Sequence, residues 1–392
     1  MSENLRNAAK HLYVHVPFCD GKCDYCGFYS VVADEEIRAE FAPLPGRELQ
    51  ILMESSDVPP GELVPQTVYF GGGTPAMLGD KGLRTLVEDL RLRADLSQVK
   101  EWTVELNPAT TTRELAKTLK ELGVNRVSIG AQSFDDEVLR RIGRRHDVAA
   151  IGQAVAAVRA AGFENMGLDL IAGLPGVTPE MWRTTVEQAL ALAPEHLSIY
   201  ALTLECGTPL AQRVEEGVDT VLDPEQQLAA LAEAEDALAK VGLARYEISN
   251  YARPGRECLH NLAVWRGEDY LGLGPHASAR VGLKRWTNHA DVRGYMSMVF
   301  EGTRPSCEEE DLEPMGDVTE RLLFGLRLAE GVELENFVAR FPVAAERLVE
   351  WNATLTRLAE QGVVEHVAAT SRAWRLTSRG REVADAVIME LI

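Results

Sequence analysis

Between Leu12 and about Thr203 the chain repeats one pattern: a short β-branched or aromatic run, a turn, then an amphipathic stretch. Residues 12–17, 67–70, 102–106, 126–130, 166–171 and 196–201 predict strands. Residues 35–53, 81–93, 113–122, 148–161 and 179–192 predict the helices between them. Gly123 and Gly162 supply C-cap signals, and Pro224 opens a further helix over 225–241. Strand–helix alternation implies parallel strands joined by crossover helices. Six units fall short of the eight in a closed barrel, and an open doubly wound sheet would also fit the alternation. Chemistry-bearing residues favour the barrel-like form. Cys19, the glycines at 71–73, Glu105, Gln132 and Asp169 all fall at or just past the C-terminal end of a strand, the face where barrels place their sites.

After about Tyr246 the rhythm breaks. Residues 247–304 are rich in Gly, Asn, His, Trp and Tyr. Helical periodicity returns over 318–329, 333–340 and 344–361, followed by a short hairpin at 363–367 and 373–377 and a last helix at 379–391. The expectation is an α/β protein: a partial (β/α)6 TIM-like barrel over residues 8–245, a connecting segment over 246–311 that closes the barrel mouth, and a mainly helical, winged-helix-like domain over 312–392. The acidic run 308–311 reads as a solvated linker. Acidic residues throughout the last domain favour a packing or lid role over DNA binding.

The 392 residues carry 40 basic and 60 acidic side chains, a net charge of −20. Such a surface repels phosphate backbones and anionic headgroups, so nucleic acid is not an expected partner. No apolar run reaches the roughly 18 residues of a membrane span, and MSENLRNAAK lacks the apolar core of a secretory signal. The expected location is the cytoplasm, where clustered cysteines read as metal ligands rather than disulfides.

Cys19, Cys23 and Cys26 stand at C-x3-C-x2-C spacing directly after the first strand. Thiolates suit iron–sulfur clusters and zinc. A structural zinc site needs four protein ligands, and position 28, where a fourth cysteine would be near, is Phe28. Cys206, Cys258 and Cys307 are scattered, and Cys206 and Cys307 read as small buried apolar side chains. The turn Gly71-Gly72-Gly73-Thr74-Pro75 admits close backbone approach by a ligand, and its N–H groups are suited to a carboxylate or phosphate.

The three-cysteine loop, the GGGTP turn and the six strand–helix units resemble the radical S-adenosylmethionine (SAM) superfamily. That resemblance implies a 4Fe-4S cluster on Cys19, Cys23 and Cys26, with SAM on the fourth iron. Further runs resemble its HemN/HemW group: 13–19, 130–134, 169–175, 246–252, and His260-Asn261 with Trp265. The resemblance implies SAM contacts at Tyr13, Gly72, Gly73, Thr74, Glu105, Gln132, Arg144 and Asp169. HemN-like chains carry a C-x-C pair after the third cysteine, where this one has Cys26-Gly27-Phe28, and a longer N-terminal extension than the 18 residues before Cys19. Both features point to the HemW side, whose members are haem chaperones.

Haem is then the expected cargo, with haem-accepting proteins and transient contact with a membrane protein as expected partnerships. The haem segment of that group is H-N-x-x-Y-W-like, and here the tyrosine is Val264. His260 is the candidate axial ligand, against a buried histidine fixing the loop; His276 and Cys258 are the nearby alternatives. Two other readings remain at this point: an oxygen-independent coproporphyrinogen III dehydrogenase, and a zinc-stabilised scaffold without SAM.

Overall fold

A computed structural model describes residues 9–55, 63–367 and 372–392. Residues 1–8, 56–62 and 368–371 lie outside these. Six strands, β1 (His11–Val16), β2 (Thr67–Gly72), β3 (Glu101–Leu106), β4 (Arg126–Gln132), β5 (Met166–Ala172) and β6 (His196–Ala201), pair in parallel and in chain order. β1 does not pair with β6, so the barrel is open. The crossover helices α1 (Glu35–Phe41) and α2 (Leu44–Glu54) divide what the sequence suggests is one helix. Pro43 and Pro45 explain the break, since neither can donate to the preceding turn. α3 (Gly79–Arg91), α4 (Arg113–Leu122), α5 (Asp136–Arg141), α6 (Val148–Ala160) and α7 (Pro179–Ala191) follow. Thr112, Asp147 and Thr178 cap α4, α6 and α7 from their side chains.

Alternate strand residues have opposite fates. Leu12, Val14, Val16, Val68, Phe70, Val104, Val127, Ile129, Leu168 and Leu197 pack into the main core. The positions between them are largely polar and bond to each other across strands: His11 to Thr67, Tyr69 to Glu105, Ser128 to Asp169. Strands buried on both faces ordinarily read as apolar runs. The polar face here lines the inside of the open barrel with side chains bonded to one another.

Segment 246–311, expected to close the mouth, is built mainly of strands. Most of it extends the sheet at both edges. β7 (Ala244–Arg245) and β8 (Asn250–Ala252) lie beyond β6. β9 (Tyr270–Leu273) pairs in parallel with β1, and β10 (Ser278–Val281), β11 (Lys284–Asn288) and β12 (Ser306–Asp311) continue antiparallel from it. An open barrel leaves two unpaired edges, and these strands cover them. The acidic run is therefore strand β12, not a linker: Glu308, Glu309 and Glu310 face Thr287, Trp286 and Arg285 in register. Arg285 bonds Glu310 at 2.6 Å, which gives the charges a structural use. α8 (Pro209–Glu215), α9 (Pro224–Lys240), α10 (Leu259–Trp265) and α11 (Val292–Phe300) complete this part.

The last domain has a core of its own around Leu322, Leu326, Trp351 and Leu355. α12 (Pro314–Leu326), α13 (Leu334–Arg340) and α14 (Leu348–Glu360) precede β14 (Val364–His366) and β15 (Ala373–Leu376). β13 (Val332–Glu333), too short for a periodicity to register, adds a third strand to the wing, beside β15. α15 (Ser378–Glu382) and α16 (Ala384–Met389) end the chain. Buried Asp317 joins Arg280 of β10 to Arg321 of α12, tying this domain to the extended sheet.

Candidate functional site

The cysteine loop leaves β1 at the C-terminal end of the parallel strands. Its backbone is fastened on several sides. Cys19 N donates to Val31 O at 3.1 Å, Asp24 N to Ile142 O at 3.0 Å and Cys26 N to Cys23 O at 3.1 Å. Arg213 of α8 holds the Asp24 carboxylate at 2.6 Å. All three thiols are free and half-buried. Burial pushes the Cys19 and Cys26 thiols up, and the neighbouring cysteines add to that shift, so the three sulfurs sit within electrostatic reach of one another. Among the described residues no three or more His, Cys, Asp or Glu side chains converge as a single ion requires. A cluster makes no such demand, because each thiolate binds a different iron. Three thiols on one clamped loop are the donor set a cubane with an open corner takes.

The glycine turn serves this loop. Gly73 N donates to Val16 O at 2.9 Å and Thr74 N to Phe18 O at 2.7 Å. A Cβ at Gly73 would lie 2.6 Å from Val16 O and 2.7 Å from Phe18 O, and one at Gly72, where φ is 93°, would press into the His15 ring. The expectation that these N–H groups await an anion is therefore corrected for Gly73 and Thr74: their amides are committed to β1 and its loop. The Thr74 hydroxyl lies 3.7 Å from the Cys19 sulfur.

Behind the loop, Arg144 donates from Nη2 to Gly130 O at 2.7 Å and from Nη1 to the Cys23 sulfur at 3.5 Å. Gln132 stands at φ 66° beside a register shift in β4, a conformation that costs a non-glycine residue about 1–3 kcal/mol. Glu105 accepts from the Tyr69 hydroxyl at 2.7 Å and from Gly72 N at 3.2 Å. Burial, with Asp169 nearby, pushes its carboxyl up to about 7 despite those bonds. Asp169 accepts from Ser128 at 3.0 Å and is also raised by burial. The Tyr13 hydroxyl lies 3.3 Å from His15 Nδ1. Tyr13, Gly72, Gly73, Thr74, Glu105, Gln132, Arg144 and Asp169 thus share the lumen and its mouth with the three cysteines. Tyr69, Ser128, His15 and Tyr29 join them unforeseen. Polar residues at every second strand position were the signal that would have found the first three.

His260 is elsewhere. It lies on α10 at the opposite end of the strands, buried, with Nδ1 2.9 Å from the Thr67 hydroxyl, which also meets His11 Nδ1 at 2.8 Å. Rings of His11, Tyr13 and Tyr69 enclose it at centroid distances of 6.2, 6.4 and 5.2 Å. Burial lowers its pKa to about 3. Cys258 is buried with its sulfur 3.4 Å from Glu101 Oε1, and burial pushes its thiol up to about 12. Cys206 and Cys307, expected to be buried, are exposed. Cys307 lies on the edge strand β12, whose residues 307–311 are all exposed.

Residues 13–189 match the Radical SAM superfamily, and 316–383 the HemN C-terminal domain. The chain is 32% identical to heme chaperone HemW of Bacillus subtilis over 96% of its own length and 98% of that protein. This chain belongs to the HemW family. HemW of Escherichia coli is 33% identical over 84% of this chain and 85% of its own. The fold also matches the solved coproporphyrinogen III oxidase HemN of Escherichia coli, with a TM-score of 0.83 over 99% of this chain and 91% of that one at 23% identity. As radical SAM proteins, HemW-family members carry a 4Fe-4S cluster and SAM, which displaces the zinc scaffold. Among the described residues no helix is long and apolar enough to cross a membrane.

Proposed function

We propose that this protein binds haem and hands it to haem-accepting proteins, and that it carries its cluster and SAM while doing so. The observation that supports this most is near-full-length similarity to chains named heme chaperone, from several bacteria. Phe28, 68% exposed where HemN-like chains continue to a further cysteine, agrees with it. Cys19, Cys23 and Cys26 are assigned to the cluster, and a cluster with three protein thiolates leaves one iron for the amino and carboxylate groups of SAM. Arg144 lends positive charge to the Cys23 thiolate. Glu105 and Asp169 are assigned to hydroxyl or ammonium groups of the nucleoside and Gln132 to its neighbouring polar atoms, while Gly72, Gly73 and Thr74 line the methionine end and Tyr13 the lumen below. Cytoplasmic residence and transient contact with a membrane-bound acceptor complete the reading. The HemN-like fold keeps the dehydrogenase as the alternative. Anaerobic reconstitution separates them: haem uptake without porphyrinogen turnover supports the chaperone, and protoporphyrinogen formation supports the enzyme.

A further inference from the structure

Resting on that reading, the geometry points to His276, not His260, as the imidazole that ligates haem, on a surface beside the cysteine loop. Reaching His260 would require displacing Tyr13 and Tyr69 and breaking its bond to Thr67. His276 is exposed on the β9–β10 turn, at the same end of the sheet as the cysteine loop because β9 runs parallel to β1. Its φ is 61°, a conformation that a non-glycine residue holds only when its surroundings impose it.

Those surroundings are a buried carboxylate. Glu48 of α2, fully buried, accepts from Gly274 N at 2.7 Å, Asn288 Nδ2 at 2.6 Å and the Tyr295 hydroxyl at 2.7 Å. Gly274 is two residues before His276, and Asn288 bonds the Gly274 carbonyl as well, at 2.9 Å. His276 N in turn donates to His289 O at 3.1 Å. One ionisable group therefore fastens the start of the turn at Gly274 to the end of β11 at Asn288, beside the imidazole. A turn with no task would not need a buried carboxylate to hold a strained histidine outward.

The remaining requirements of a haem lie alongside. Tyr29, just past the cluster cysteines, stacks edge-on to His276 at 6.1 Å, and its hydroxyl meets Val292 N at 2.8 Å. Phe28 and Val32 of the same loop are 68% and 70% exposed, apolar surface suited to a porphyrin face. Arg293, exposed and next to Val292, supplies a cation for a propionate. Tyr29 O also bonds His15 Nε2 at 2.9 Å, so the surface abuts the glycine turn of the SAM site.

The test is titration of the full, cluster-reconstituted chain with ferric haem, reading the Soret band and its histidine signature. Wild type is measured first, then His276→Asn, a residue that tolerates positive φ, with iron and sulfide content checked in each. His276→Asn is expected to weaken haem binding at least tenfold and remove the imidazole signature while the cluster stays intact. A second variant, Phe28→Ser, is expected to weaken binding several-fold with the signature kept. If wild type binds haem and His276→Asn binds it equally with the same spectrum, His276 is not the ligand and only this inference falls. A wild-type chain that takes up no haem overturns the chaperone reading and this one together.

Discussion

Arg144 places Nη1 3.5 Å from the Cys23 sulfur while Nη2 holds Gly130 O at 2.7 Å, so one guanidinium joins the cysteine loop to the end of β4. Hydrogen bonds to a charged group contribute about 1.5–3 kcal/mol. Arg144→Gln should therefore make the cluster roughly tenfold more labile toward chelator, with the fold unchanged. Decay of visible absorbance under chelation measures it; a half-life equal to wild type would remove Arg144 from the account of the thiolates.

Cys23→Ser should abolish the cluster's visible absorbance and leave a folded chain. The loop is held by backbone bonds at Cys19, Asp24 and Cys26 and by Arg213 on Asp24, none of which uses the Cys23 sulfur. Circular dichroism and the iron content of the anaerobic preparation check both halves. An unchanged visible spectrum would contradict the ligand assignment.

Glu101 caps α10 from within the lumen, accepting from Leu259 N at 2.9 Å and His260 N at 3.1 Å. Removing it leaves the buried His260 N–H and the half-buried Leu259 N–H without that partner. Glu101→Ala should destabilise the chain by about 1–3 kcal/mol, read as a lower urea midpoint. Cluster loading should be retained, because this cap sits at the far end of the strands from the cysteines.

His260 has its folded pKa lowered to about 3, by burial first and then by His11 and Arg126. A histidine depressed in this way contributes stability that is complete above its unfolded value of about 6.5 and is lost as pH falls toward 3. His260→Gln, uncharged throughout and able to bond Thr67, should show a shallower loss of melting temperature between pH 7 and 4. Parallel profiles for the two proteins would mean that His260 is not the neutral buried ring described here.

The barrel was readable because each crossover brings its own punctuation: caps at Thr112, Asp147 and Thr178, and glycines at 123 and 162. The C-x3-C-x2-C spacing marks Cys19, Cys23 and Cys26 in the sequence, and the structure sets all three on one loop after β1. The edge strands β9 to β12 were not, since their partners lie far off in sequence, and β12 is so acidic that its charges masked its pairing with β11. The positive φ of Gln132 and His276 leaves no mark on a sequence, because tertiary contacts impose it. His260 is read two ways by the sequence, as an axial ligand or as a buried ring, and the structure shows it buried against Thr67. A motif suited to metal chemistry can equally be a packed one, and only burial and the Thr67 bond distinguish them.

The most direct test of the whole account is an anaerobic assay in which the reconstituted protein, with SAM and reductant, is offered haem and coproporphyrinogen III in parallel. The account predicts stoichiometric haem binding and no decarboxylated porphyrinogen. Turnover of the porphyrinogen, with haem left unbound, would contradict it.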